Sequence, residues 1–146
     1  VFIDAITSAD SLPTLQAAAR FAAQRHQIIL SNIANLSTPG YQTKDVSVRA
    51  FQSQLAEAVE RKRQGGPGTP LELQSTDEVR VTGGSATSFT LNPSSTSTNI
   101  LFHDRNNRDL ERAMQDLSEN AAAFRLATDL LKNRVTLLEA AIRERS

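Results

Sequence analysis

The 146-residue chain has no cysteine, which excludes disulfides, thiolate metal ligands and thiol redox chemistry, and leaves the compartment open. It also has no tryptophan, only one tyrosine, and aromatic residues make up 5% of the whole. Apolar residues reach 39%, below the usual ~45–50%, so one domain with a thin core is expected. Neither sign of charge is in excess: 16 basic and 16 acidic residues give a formal charge of zero. A surface that displaces counterions from phosphate needs a basic surplus, so nucleic acid is not an expected partner. No apolar run approaches the ~20 residues that cross a bilayer, and direct membrane insertion is not expected. The first residues, "VFIDAITSAD", lack the basic start and long apolar stretch of a secretory leader. Any export is therefore expected to proceed without a cleaved signal peptide.

Catalytic groupings are missing as well. His26 and His103 have no second histidine or carboxylate at ligand spacing. Asp109 and Glu111 are two apart and do not face one another on a helix. Ser31 and Ser37 have no nucleophile-elbow context. "GGPG" at Gly65–Gly68 lacks the Lys-Ser/Thr ending of a phosphate loop. No enzyme, metal or cofactor is expected.

What the chain does have is two apolar stripes. Leu12, Leu15, Ala19, Ala22, His26, Ile29, Ile33 and Leu36 recur at alternating steps of three and four, a heptad seam. Ala18, Phe21 and Ile28 widen it on one side. With Ser11 as N-cap and Pro13 in the first turn, a helix is expected from about Leu12 to Leu36. The second stripe is longer: Leu110, Met114, Leu117, Ala121, Phe124, Thr128, Leu131, Val135, Leu138 and Ile142 alternate steps of four and three. No Gly or Pro interrupts the chain from Asn106 onward, so a helix of roughly 50 Å is expected at ~1.5 Å per residue. Thr128 is read as a slight heptad imperfection rather than a register device.

Between the stripes, Phe51, Leu55, Ala58 and Val59 predict a short amphipathic helix to Arg63, ended by "GGPGTP". Leu71, Leu73, Val79 and Val81 suggest short strands. From Gly83 to Asn99, nine of seventeen residues are Ser or Thr, a composition expected to stay mobile unless a partner holds it. The resulting division is an N-terminal helix and turn (1–45), a flexible middle (46–103) and a C-terminal helix (104–146). The expected fold is mainly α, with the terminal helices paired as an antiparallel coiled coil. A lone pair would leave Ala18, Phe21, Ile28, Ala127, Leu130, Leu137 and Ala141 partly wet, so something further should cover them. A bundle closed by the Phe51 segment is one answer, and neighbouring subunits are another.

"SNIANLSTPGYQTKD" at Ser31–Asp45 reads as a rigid helix exit. Pro39–Gly40 suits positions i+1 and i+2 of a type II turn, Thr38 is pushed out of the helical region by the following proline, and Asn35 suits a left-handed helix end. Asn32 and Asn35 share a face and can bond exposed carbonyls or a neighbouring chain.

Asn32, Ile33, Ala34, Asn35, Thr38, Pro39, Gly40 and Tyr41 together resemble the N-I-A-N-x-x-T-P-G-Y signature of bacterial flagellar axial proteins. Arg25 and Gln27 in "RHQIILSNIAN", and "DRNNRDLERAM" at Asp104–Met114, resemble in particular the proximal-rod branch of the flagellar basal-body rod protein family. In the second motif Arg105, Arg108 and Ala113 depart from that branch's Gly, Val and Glu.

The resemblance implies a non-enzymatic structural subunit, exported by the flagellar type III apparatus and assembled in the periplasm into a tubular rod. It implies as partners copies of the chain, other rod proteins, the adaptor at the MS-ring/rod junction and the export apparatus. The expected subunit-interface residues are Asn32, Ile33, Asn35, Pro39, Gly40 and Tyr41 at the turn, and Phe21, Ile28 and Ile29 on the first helix. On the second helix they are Leu110, Met114, Leu117, Phe124, Leu131, Val135, Leu138 and Ile142. The rival readings are another rod subunit of the same superfamily, or a cytoplasmic coiled-coil adaptor or export chaperone.

Overall fold

A computed structural model describes residues 11–95 and 106–144, with side chains from residue 110 onward in the second stretch. His103, Asp104 and Arg105, and the side chains of Asn106 to Asp109, therefore lie outside the described residues. The element order is α1 (Leu12–Ala34), β1 (Lys44–Asp45), α2 (Val48–Gly65), β2 (Val79–Val81), β3 (Phe89–Leu91), β4 (Ser94–Ser95) and α3 (Asn106–Arg143). The fold is mainly helical. At ~1.5 Å per residue, α1 and α3 are roughly 35 Å and 57 Å long.

Two side-chain bonds fix how the long helices run. Asn120 on α3 reaches the Ala22 carbonyl on α1, and Arg134 reaches the Ser11 hydroxyl. Moving forward along α1 thus means moving backward along α3, so the pair is antiparallel. Ser11 occupies the N-cap position, but its side chain caps no backbone N–H of α1; its hydroxyl accepts the Arg134 bond instead.

Most of the core lies in the middle of the chain. Ser47 caps α2 by accepting from the Ala50 N–H at 3.1 Å, so the helix starts three residues before the predicted Phe51. Its apolar face, Phe51, Leu55, Ala58 and Val59, is buried together with Leu71, Leu73, Val79, Ala86 and Phe89. Phe51 stacks on Phe21 of α1 at 4.1 Å between ring centroids and packs against Phe89 at 5.5 Å. Six phenylalanines in the whole chain suffice because three of them meet here.

The strands are short and paired in two antiparallel ladders, β1 with β4 and β2 with β3. Register runs Val79 to Leu91 and Val81 to Phe89 in one, and Lys44 to Ser95 in the other. Leu71 and Leu73 are buried without joining a ladder; the Leu71 carbonyl accepts from Ala86 N–H at 3.1 Å.

Within the Ser/Thr-rich stretch, β3 is bonded to α1. Arg20 Nε and Gln24 Nε2 both donate to the Phe89 carbonyl, at 3.1 and 2.9 Å, and Gln24 Oε1 accepts from Leu91 N–H at 2.9 Å. The amide of Gln24 thus completes the open side of β3 as a strand would.

A candidate assembly surface on the terminal helices

The predicted turn takes its expected form at its centre. Tyr41 N–H donates to the Thr38 carbonyl at 3.2 Å, and Gly40 sits at φ +75°, as position i+2 of a type II turn requires. Asn35 does not adopt the left-handed conformation. It ends α1 at φ −104°, ψ 7°, with its Nδ2 donating to the Ser31 carbonyl at 2.8 Å. The chain needs one positive φ to reverse here, and glycine supplies it without the steric penalty that asparagine meets.

The exit from this turn is clasped onto α1. Asn32, nearly buried, donates from Nδ2 to the Lys44 carbonyl, and its Oδ1 accepts from Lys44 N–H and Tyr41 Oη, both at 3.0 Å. One amide therefore pairs with both backbone groups of Lys44 and tethers the tyrosine. Seven residues earlier on α1, Arg25 grips Asp45 through two bonds, Nε to Oδ1 at 2.9 Å and Nη2 to Oδ2 at 2.7 Å. Asp45 Oδ1 also accepts from Val46 N–H at 2.8 Å. The bond to Asp45 raises the Arg25 pKa further, against the opposing pull of its burial, and the Asp116 and Glu119 charges of α3 add to the rise. Burial pushes the Asp116 carboxyl up, with Arg25 partly offsetting it.

α1 uses its two faces for two partners. Ala17, Phe21 and Ile28 pack into the core with α2 and the strands. Leu15, Ala22 and Ile29, seven apart, are buried outside that cluster, and Ala22 carries the bond from Asn120. The stripe predicted for α1 is thus at least half-buried throughout.

The stripe predicted for α3 behaves differently. Asn120 and Arg134 carry its bonds to Ala22 and Ser11, and with Ala113 and Ala127 they form one line a heptad apart, on which Asn120 and Ala127 are buried. At ~100° per residue this line lies about 60° around the helix from Leu110, Leu117, Phe124 and Leu131. It lies about 100° from Met114, Ala121, Thr128 and Val135. On this inner line two alanines alternate with the two bonded polar residues, and the large apolar residues stand on the flank. Leu110 is 42% exposed, Met114 51% and Phe124 40%, while Leu117 and Leu131 are half-buried. Past the Ser11–Arg134 contact no described residue of α1 lies opposite α3, and Val135, Leu138 and Ile142 are exposed. Thr128 spends its hydroxyl on its own helix, donating to the Phe124 and Arg125 carbonyls.

The residues expected at a subunit interface therefore separate. Phe21 and Ile29 are buried by the chain's own elements, so their surface is already covered, and the hydrogen-bonding capacity of Asn32 is used within the chain. Ile28, Ile33, Asn35 and Tyr41 are half-buried, and Pro39 and Gly40 are exposed at the turn. Leu110, Met114, Phe124, Val135, Leu138 and Ile142 form the open apolar flank of α3. Gln24, the Arg25–Asp45 pair and Asn120 escaped sequence reasoning. Their roles depend on which backbone groups are left open across the chain, which apolar periodicity does not encode.

Among the described residues no group of three or more His, Asp or Glu side chains could hold a metal, and no helix is long and apolar enough to cross a membrane. No protein-family model matches the chain. Individual relatives do. Flagellar basal body rod protein FlgB of Yersinia enterocolitica is 32% identical over 122 residues, 79% of each chain. FlgB of Salmonella typhimurium is 28% identical over 123 residues, 80% of each. FlgB of Escherichia coli K12 is 26% identical over 125 residues, covering 82% of this chain and 83% of the relative.

Proposed function

The chain belongs to the FlgB family of flagellar basal-body rod proteins, and from that premise we propose that it is a non-enzymatic subunit whose α3 flank packs against neighbouring subunits in a tubular axial polymer. Its place is the basal-body rod. The observation that carries the assembly reading is the open apolar flank of α3, where Leu110, Met114 and Phe124 stand exposed alongside α1. A second copy, or another rod protein with the same terminal helices, offers a matching stripe. Repeated contacts between unlike faces of one subunit extend into an open helical array rather than a closed ring. The same reading makes the adaptor at the MS-ring/rod junction and the flagellar export apparatus its other partners, with assembly in the periplasm.

The test replaces the flank without touching the core. A Met114→Glu, Phe124→Glu chain is expressed in a motile host lacking its own copy, and basal bodies are isolated. The expected result is a folded, exported protein missing from the basal bodies, and non-motile cells. Normal rods and swimming would overturn the reading, as would a wild-type chain found only in the cytosol.

A further inference from the structure

We propose that Asn120 is the register pin of the terminal helix pair, a positioning residue that sets where α3 sits along α1. The inference rests on the reading of α3 as the assembly helix, since register decides how far residues 135–143 overhang and which stretch of flank lies beside α1.

Without a polar member, the inner line of α3 has little axial preference. Ala113, Asn120, Ala127 and Arg134 repeat every seven residues, and the facing line on α1, Leu15, Ala22 and Ile29, repeats at the same interval. Sliding one helix by a heptad brings like positions together again, so apolar packing alone discriminates poorly between the two arrangements. Asn120 breaks the degeneracy. It is 4% exposed, and its Nδ2 donates to the Ala22 carbonyl at 2.8 Å. That carbonyl's second lone pair is open to a side chain in addition to the helical bond. Reaching a helix carbonyl from outside requires a small residue beside it, and Ala22 is the small member between Leu15 and Ile29. In a register shifted by one heptad Asn120 would face a leucine or isoleucine and be buried without a partner, which is costly. The Arg134–Ser11 bond at 3.1 Å supports the same register further along the pair.

The test moves the pin. Because the chain has no cysteine, spin labels attach cleanly to Gln16→Cys and Gln115→Cys, both exposed positions, and their separation is read on the dilute full chain. The wild-type background is expected to show one distance. In a Ser11→Ala background, which removes the second bond between the pair, Asn120→Ala combined with Ala127→Asn should slide α3 by one heptad, lengthening that distance by about 10 Å at ~1.5 Å per residue. Asn120→Ala alone should raise the slid population about fivefold, the shift that one net hydrogen bond supports. An unchanged single distance in both variants overturns the proposal. So does loss of any defined distance, which would make Asn120 mere glue between the helices. The labels report on a monomer, so this outcome and the assembly result on the flank variant stand or fall separately.

Discussion

Replacing Asn32 by aspartate changes one atom group and tests the clasp at the end of α1. The carboxylate keeps an acceptor for Tyr41 Oη and Lys44 N–H, but an oxygen takes the place of the Nδ2 that now donates to the Lys44 carbonyl at 2.6 Å. One hydrogen bond is lost, worth ~1 kcal/mol net. Two oxygens are then forced together at a site only 9% exposed, where an unmatched charge costs a further few kcal/mol before relaxation. Lys44 itself is exposed, and water entering there trims the second contribution. A loss of about 2–3 kcal/mol at neutral pH is expected, lowering Tm by roughly 8–12 °C for a chain of this size. The sign with pH follows from linkage. The carboxyl at position 32 is held above its unfolded pKa, so its protonated form, which again donates to Lys44, is favoured in the fold. The deficit should shrink as pH falls through that raised pKa and be smallest below about 4. Thermal unfolding by circular dichroism from pH 3 to 8, with wild type as the baseline at each pH, reads both effects. A variant as stable as wild type at pH 7, or a deficit independent of pH, would refute the clasp.

Three further outcomes follow from the same geometry. Phe51→Ala empties the centre of the ring cluster and should cost about 3–5 kcal/mol, seen as an early urea midpoint. Gly40→Ala meets no neighbouring atoms but must hold φ near +75°, so a loss of about 1 kcal/mol is expected from strain alone. Asp116 has its pKa raised by burial against α1, so its ionisation opposes folding: this contribution to stability is full below the unfolded pKa and is lost as pH rises through the folded one. Asp116→Asn should therefore match wild type in acid and exceed it at neutral pH, and thermal melts at the two pH values check this.

Both long helices, their antiparallel pairing and the type II turn were legible in the sequence, because heptad spacing and the Pro-Gly pair are local signals. The position of the core was harder to see. Phe51, Leu55, Ala58 and Val59 marked a short helix, but its main partners, Leu71, Leu73, Val79 and Phe89, lie in stretches too short and polar to show a period. Of these, Phe89 and its strand are held by Arg20 and Gln24, polar residues on α1 that apolar patterning counts as solvent-facing. The orientation of α3 was hidden for a related reason. A hydrophobic stripe marks the surface that gains most by leaving water, whereas the face that meets α1 is set by small residues and two polar bonds. Phe51 of α2 stacks on Phe21 and Ile28 packs against the same core, while α3 keeps its outer flank open.

That division has a consequence for the turn motif. Asn32 and Tyr41 bond to one another across the turn that Gly40 permits, and Arg25 and Asn32 together hold Lys44 and Asp45 along α1. The motif is thus a closing device that returns the chain from the end of α1 to the start of α2, and most of its polar capacity is satisfied inside the subunit. The open apolar surface belongs to α3, whose inner line is fixed by Asn120 and Arg134 and whose flank makes no part of the core. Changes in the motif should therefore act through stability, and appear in dilute protein. Changes on the α3 flank should leave dilute protein intact and act only where subunits meet. A flank substitution that destabilised the monomer as strongly as one in the clasp would show that the two parts are one.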